Sequence, residues 1–355
     1  MTAPVTTGPV ASWPSVLGRL VAGTDLSSDD AAWAMHQIFV GEATAVQLAA
    51  FAVALRAKGE TVEELSAMAD TMLAFATPID VPTDAVDIVG SGGDRAHTVN
   101  VSTMAALVAA AAGARVVKHG SRAASSACGA ADVLEALGIP LDLSPEQQAR
   151  VIASAGIGFL FARNYHPALR YAAAPRGELG IPTTFNFLGP LTNPGRPVAH
   201  AVGVADARMA ALMAGVLAGR GSRGLVFHGG DGLDELTTTT DSAVWLMAEG
   251  RVTRTSVDPL DLDIDRAAVA DLVGGSPAHN ADVVRHVAGG ELGPVADIVA
   301  LNAAACLLAY AGVRHDVDLA GQLRPHLEAA RTAMADGRMA QTLDRWAEAC
   351  RSVLG

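Results

Sequence analysis

The chain has 355 residues, half of them apolar and 17% charged, so it can bury a substantial core spread over two domains and is not disordered in composition. Its formal net charge of −12 argues against a nucleic-acid or anionic-membrane binder, since both depend on surplus lysine and arginine. The three cysteines, Cys128, Cys306 and Cys350, are too few and too scattered for a disulfide framework or a zinc site, and fit reduced thiols.

The opening "MTAPVTTGPVASWPS" has neither a positive n-region nor an apolar h-region. The most apolar stretch, "MAALVAAAAGARVV", is too short and too alanine-rich to span a bilayer, so the expectation is a soluble cytoplasmic protein. Up to Phe75 the periodicity is helical only, with segments around Ala31 to Phe39, Ala45 to Ala57 and Val62 to Phe75. Thr61 and Glu64 form a capping-box pattern, and Gly41 and Gly59 mark stops. "TPIDVPTDA" then breaks the pattern with two prolines. Beyond it, "VDIV", "RVVKHG", "HAVGVA" and "GLVFHG" read as short strands alternating with helices, and "VWLMAEGRVTRTSV" as a hairpin turning at Glu249-Gly250. The tail from Pro294 returns to helix. The predicted fold class is therefore α/β: a small all-helical domain plus a larger α/β domain with a mainly parallel central sheet.

In such sheets ligands gather where strands end, and the unusual residues fall there. "DIVGSGGDRAHTVNVST" follows the first strand, and its glycines Gly90, Gly92 and Gly93 allow backbone N–H groups to approach an anion closely. It leads to a helix N-terminus near Ser102 and Thr103, with Asn100 beside them. On these residues alone, an anion loop and a plain strand-to-helix turn capped by asparagine or serine fit equally. "KHGSRAASS" places Lys118, His119 and Arg122 among Ser121, Ser125 and Ser126, again ahead of a helix; arginine can grip phosphate with two bonds while lysine acts as a point charge. Cys128 has no partner base nearby in sequence and reads as a small buried thiol. "HGGDGLDELTTTT" offers Asp231, Asp234 and Glu235, a carboxylate set suited to Mg2+ that shares its ligands with substrate phosphates, or else an acidic turn. In "HPALRYAAAPRGELGIPTTFNFLGPLTNP", Arg170 and Arg176 lie on a predicted helix but on different faces, ahead of an irregular Pro/Gly excursion.

Taken together and in this order, "GSGGD", "NVST", "KHGSRAASS", "RGELG", "FNFLGPLTNP" and "DGLDE" resemble the motifs of the anthranilate phosphoribosyltransferase family. The resemblance covers nearly the whole chain. It implies the nucleoside phosphorylase/phosphoribosyltransferase type of fold, with a helical domain at 1–82 joined by about 168–192, and an α/β domain at 83–167 and 193–355. It also implies a homodimer through the helical domain and a place in tryptophan biosynthesis.

Carried over position by position, the resemblance implies phosphoribosyl pyrophosphate contacts at Gly90, Gly93, Asp94, Thr98, Asn100, Val101, Ser102 and Thr103. They continue through Lys118, His119, Gly120, Ser121, Arg122, Ala123, Ala124, Ser125, Ser126 and Ala130. Ser102, Asp234 and Glu235 would hold Mg2+, as a pair of ions per subunit, and Gly90, Ser121 and Arg176 would meet anthranilate, Arg176 through its carboxylate. The expected reaction joins the anthranilate amine to C1 of the ribose as pyrophosphate leaves, by positioning and electrostatics, with no side-chain nucleophile.

Four positions depart from the family pattern: Ser121 stands for asparagine, Ser91 for threonine, Arg95 for glycine, and Gly177 for the second arginine of the common pair. Ser121 keeps open a relative acting on another aromatic amine. A nucleoside phosphorylase is the related alternative, which "KHGSR" and "DGLDE" fit less well. A non-catalytic nucleic-acid-binding relative is the third, and the acidic balance and the retained carboxylates oppose it.

Overall fold

The computed structural model describes residues 11–123 and 127–355. Ala124, Ser125 and Ser126 of the expected phosphate loop lie outside the described residues. The chain divides into two compact units. One runs to Ala76 and takes in His166–Leu188; the other comprises Thr77–Tyr165 and Gly189–Gly355.

The first unit is all-helical. Its helices are α1 (Trp13–Val21), α2 (Ser28–Phe39), α3 (Ala45–Lys58) and α4 (Val62–Ala74), joined by a helix over Arg170–Leu179. α1 has no counterpart in the sequence reading. It forms because Ser12 caps it, Pro14 sits in its first turn, and Trp13, Val16 and Leu20 recur on one buried face. Trp13 packs tilted against Trp33 and edge-on against Phe51, with ring centres 5.3 and 6.2 Å away. The Thr61–Glu64 capping box is present, and buried Glu64 also accepts from the Leu26 amide (2.8 Å) and the Lys58 ammonium (3.0 Å). Its carboxylate thus ties the α1–α2 connection to the start of α4.

The second unit is built on one sheet: β1 (Val86–Gly90), β2 (Val116–Gly120), β3 (Ile157–Phe161), β4 (Ala199–Gly203), β5 (Arg223–Gly229), β6 (Ser242–Ala248) and β7 (Arg251–Val257). The spatial order is β3-β2-β1-β4-β5-β6-β7, with the first five strands parallel and β6 and β7 antiparallel additions. The mainly parallel sheet matches the sequence reading, as does the hairpin: Glu249 (φ 53°) and Gly250 (φ 71°) form the two-residue turn with both backbones left-handed. β3 has no counterpart in that reading, because "IGFLF" directly follows a helix and its apolar run reads as a continuation.

Crossover helices cover the sheet, among them α5 (Val101–Ala111), α6 (Ala130–Ala136) and α7 (Pro145–Ala155). The helix Pro294–Ala311 is apolar and long enough to cross a membrane, yet it is largely buried and packs on β1, β4, β5 and α5, the position of a core helix. β1 and β2 thus deliver two loops side by side at the carboxyl edge of the sheet, where β4 and β5 bring a third.

Candidate active site

The glycine loop leaves β1 in an unusual backbone. Gly92 (φ 69°), Gly93 (φ 90°), Arg95 (φ 60°) and His97 (φ 55°) are all left-handed, two of them without the freedom of glycine. The loop is pinned at both ends. The Gly92 amide donates to Asp234 Oδ2 (2.6 Å), and the Gly274 amide donates to the His97 carbonyl (2.8 Å), beside a bridge between Thr98 and Val273. Asp94 accepts from the Ala96 amide (3.2 Å) and leaves Gly93 at the exposed bend.

α5 starts without a side-chain cap. Asn100 turns away, donating to the Cys128 carbonyl (3.1 Å) and accepting from Asn280 Nδ2 (2.8 Å), so it couples the two phosphate-type loops instead. Val101 and Thr103 are buried, which leaves their backbone rather than their side chains for a ligand; Ser102 is half-buried. The Ser102 amide donates to the Glu235 carboxylate, placing that acid at the helix N-terminus.

In the second loop Lys118 is 2% exposed. Its ammonium donates to the Ile88 carbonyl and to Ser102 Oγ (3.2 Å). Burial pushes its pKa down, while Asp87, Glu235 and Asp234 hold it up. His119 is buried with Nδ1 against the Gly189 carbonyl (3.1 Å), and a Cβ on Gly120 would press on the Phe159 ring. Ser121 is exposed, and its hydroxyl donates to the Arg122 carbonyl (3.0 Å). Arg122 bonds Asp132 (2.8 Å) and Glu135 (2.9 Å) and lies over the Phe161 ring. Those acids raise its pKa. The Ala123 and Gly129 amides both donate to Asp132, and Ala130 opens α6 next to them. Cys128 is buried in the main core with its thiol pushed up to about 11 by burial, the state of a packing residue.

The third loop carries the charge problem. Asp234 and Glu235 are 9% and 8% exposed, and burial together with the neighbouring acids raises both, Asp234 to about 7. For Asp234 the neighbour is Asp94; for Glu235 it is Asp234 first, with Lys118 opposing. Such crowding of buried oxygens around one corner is the donor chemistry of a hard divalent cation, which accepts one or two carboxylates and shares the rest of its shell with phosphate. The strands make room for it: a Cβ on Gly90 would collide with the Asp234 carboxylate, and one on Gly203 with its carbonyl. Asp231 is no part of that corner. Its carboxylate accepts from Thr237 Oγ1 (2.7 Å), Thr239 Oγ1 (2.5 Å) and the Leu233 amide, and shapes the turn.

Sequence reasoning missed several supports. Asn302, fully buried, accepts from the Leu236 amide (3.0 Å) and donates to the Leu236 carbonyl (2.8 Å), clamping the residue after Glu235. A single amide in the run "VALNAAACLLAYA" was the available signal. Gly203, Asn280, Asp87 and Asn193 escaped as well.

The profile of the glycosyl transferase family helical bundle domain matches residues 14–76, and that of the family's a/b domain matches residues 82–338. Anthranilate phosphoribosyltransferase of a Nocardioides species is 58% identical over 340 residues, spanning 96% of this chain and 99% of that one. This chain belongs to the anthranilate phosphoribosyltransferase family. The crystal structure of the anthranilate phosphoribosyltransferase from Thermus thermophilus is 40% identical and superposes with a TM-score of 0.87 over 95% of this chain and 99% of its own. The anthranilate phosphoribosyltransferase of Saccharomyces cerevisiae, solved in complex with PRPP and Mg, shares the fold at 24% identity and a TM-score of 0.86, over 96% and 98% of the two chains. As a member of an anthranilate phosphoribosyltransferase family, this chain is an enzyme, a glycosyltransferase of the pentosyl-transferring kind.

In the helical unit, Arg176 lies on the helix Arg170–Leu179 with its guanidinium over the Phe185 ring, 5.6 Å from the centre. Burial lowers its pKa, and no hydrogen bond or ion pair reaches it among the described residues. Arg170, by contrast, is exposed and spends itself on Tyr171.

Proposed function

We propose that the glycine loop, the lysine–histidine loop and the carboxylate corner hold phosphoribosyl pyrophosphate, and that Arg176 pairs with the carboxylate of anthranilate. The activity is transfer of the phosphoribosyl group to the anthranilate amine, giving N-(5-phosphoribosyl)anthranilate and pyrophosphate in tryptophan biosynthesis. The observation that carries the donor reading is the crowded corner of Asp94, Asp234 and Glu235 beside an uncapped helix start and a left-handed glycine loop.

Gly90, Gly93, Asp94 and Thr98 meet the donor from one side. Asn100 to Thr103 supply backbone and hydroxyl groups, and Lys118 to Ala123 with Ala130 meet it from the other. Ser102, Asp234 and Glu235 are the Mg2+ ligands, for a pair of ions per subunit. The bound metal supplies positive charge to the departing pyrophosphate. The chain's own part is to fix the donor and keep the amine behind C1, so that the N–C1 bond forms as the C1–O bond breaks with inversion. The ammonium proton is then released. Arg176 suits the acceptor because a half-buried, unpaired guanidinium gains most from a carboxylate. Gly90 and Ser121 complete the acceptor contacts.

The enzyme works in the cytoplasm, consistent with three buried cysteines outside any disulfide, and as a homodimer through the helical unit. There α3 exposes Val46 and Val53, two turns apart on one face. The decisive assay mixes the protein with anthranilate, phosphoribosyl pyrophosphate and Mg2+ and follows the acceptor's fluorescence. Loss of fluorescence is expected; none at high enzyme concentration refutes the reading.

A further inference from the structure

The ladder between β1 and β2 carries a single registered pair, Val86 with Val116. Their outer neighbours are fully paired: β1 matches β4 through Gly90, and β2 matches β3 through Gly120. A parallel ladder continuing from Val86 would next join the Ile88 amide to the Val117 carbonyl and the His119 amide to the Ile88 carbonyl. Side chains take those groups instead. The His119 amide donates to Asp87 Oδ1 (3.1 Å), and the Ile88 amide also serves the Asp87 carboxylate. The Val117 carbonyl accepts from Asn193 Nδ2 (2.7 Å), which also donates to Asp87 Oδ2 (2.9 Å). The Ile88 carbonyl accepts from Lys118 Nζ.

The bridging comes from both faces. Ile88 and Val116 point into the main core, and Val117 into the smaller one, so alternation sends Lys118 to one side of the sheet and Asp87 to the other. Asp87 and Asn193 are 0% and 4% exposed, and the Ile88 and His119 amides and the Ile88 and Val117 carbonyls are all satisfied by side chains. Asn193 is fixed in turn by the Gly195 amide on its Oδ1 (2.9 Å). An isolated carboxylate in a buried strand is costly, and burial does push Asp87 up to about 6 against the pull of Lys118. A packing role alone would be met better by an apolar residue.

We propose that Asp87 and Asn193 are positioning residues that hold β1 and β2 unzipped, and so set the spacing of the two loops that grip the phosphoribosyl pyrophosphate. The inference rests on the donor reading above. Neither residue touches the donor; each acts through the strand ends that carry Gly90 and Gly120.

The test compares Asp87→Asn and Asn193→Ala with the parent enzyme, using calorimetric titration of phosphoribosyl pyrophosphate with Mg2+, steady-state kinetics, thermal unfolding and amide hydrogen exchange. Asp87→Asn removes a buried charge, so it should fold and melt no lower than the parent. Asn193 is fixed by Val117 and Gly195 with its amide nitrogen toward residue 87, so the single oxygen of the new amide stays with it, the new –NH2 faces the His119 amide, and that bridge must break. Donor affinity and KM for phosphoribosyl pyrophosphate should worsen about tenfold, the loss expected of one buried hydrogen bond to a charged group. The KM for anthranilate at saturating donor should stay within twofold, and the His119 amide should exchange faster. Asn193→Ala should show the same split with a lower melting point. Donor binding within twofold of the parent in a folded Asp87→Asn protein overturns the proposal, as does an equal loss for both substrates. If the parent itself binds no donor, the functional reading fails. Unchanged exchange at His119 in Asp87→Asn would separately refute the bridged seam.

Discussion

Two buried glutamates, one in each unit, show how the same residue serves opposite ends. Glu64 in the helical unit is fully buried, yet its carboxylate accepts from two amides and a lysine: Leu26, Thr61 and Lys58. The nearby acid, Asp25, shares the same Lys58 ammonium (2.7 Å). Glu235 in the α/β unit is nearly as buried, but it sits with Asp234 and Asp94, and Lys118 and the Ser102 amide oppose the repulsion without overcoming it. A satisfied buried acid holds a fold together. A cluster of under-compensated ones stores a demand for positive charge that a cationic ligand meets.

The largest effect should come from breaking the crowded side of that comparison. Asp234→Asn keeps an acceptor for the Gly92 amide but removes a charge. Turnover should fall by about 10² to 10³, the range seen when one preorganised electrostatic group is lost. The ligand-free protein should become more stable. The sign follows from Asp234 titrating near 7 in the fold against the usual 3.8. The folded state holds the extra proton across that interval, so ligand-free stability declines as pH rises through it. Melting points between pH 4 and 7 should show a shallower decline for Asp234→Asn, and Mg2+ with donor should raise the parent's melting point more than the variant's. Equal turnover in parent and variant would remove Asp234 from the site.

Breaking the satisfied side should do the reverse. Glu64→Ala orphans the buried Leu26 amide, breaks the Thr61–Glu64 capping box and leaves Lys58 with only Asp25 and the Gly59 carbonyl among the described residues. The helical unit should lose about 3 kcal/mol or more, while donor binding to the folded protein stays within twofold. Glu64→Gln, which keeps one oxygen for Leu26, should lose less. A drop in donor affinity matching that of Asp234→Asn would erase the distinction between the two acids.

What was legible in the sequence follows the same division. Glycines at strand ends, cations before helices and paired carboxylates announce themselves by residue type, because each answers a local demand of backbone or charge. The helical start was legible through caps and period, apart from α1, whose nine residues carry both Pro14 and Gly18 and are too short for the period to stand out. The supports were hidden because their bonds span the chain: Asp87 and Asn193 are 106 residues apart, and Asn302 and Leu236 are 66 apart. A charge inside "VDIV" and an amide inside an alanine-rich helix were visible, but which carbonyl or amide each would satisfy depends on strand order and on an open ladder. Arg122 shows the converse limit. Its spacing suggested a phosphate grip, whereas α6 supplies two acids that engage it in this structure.

The smallest effect belongs to Ser121, the departure from the family pattern in the loop next to the open seam. Its backbone is set independently of its side chain: the Ser121 carbonyl accepts from the Ala131 amide (3.2 Å), and its φ is not left-handed. Its hydroxyl is turned to the Arg122 carbonyl and is exposed, so a longer amide in its place meets no packed neighbour and extends the reach of the loop. Ser121→Asn should therefore leave folding and the KM for phosphoribosyl pyrophosphate unchanged. It should lower the KM for anthranilate several-fold, on the order of the ~1 kcal/mol of one added hydrogen bond. The parent retains Arg176 for the carboxylate, which is why the serine weakens the acceptor contact without abolishing it. An anthranilate KM identical in the two proteins would show the serine to be neutral, and would leave Arg176 as the residue that holds the acceptor.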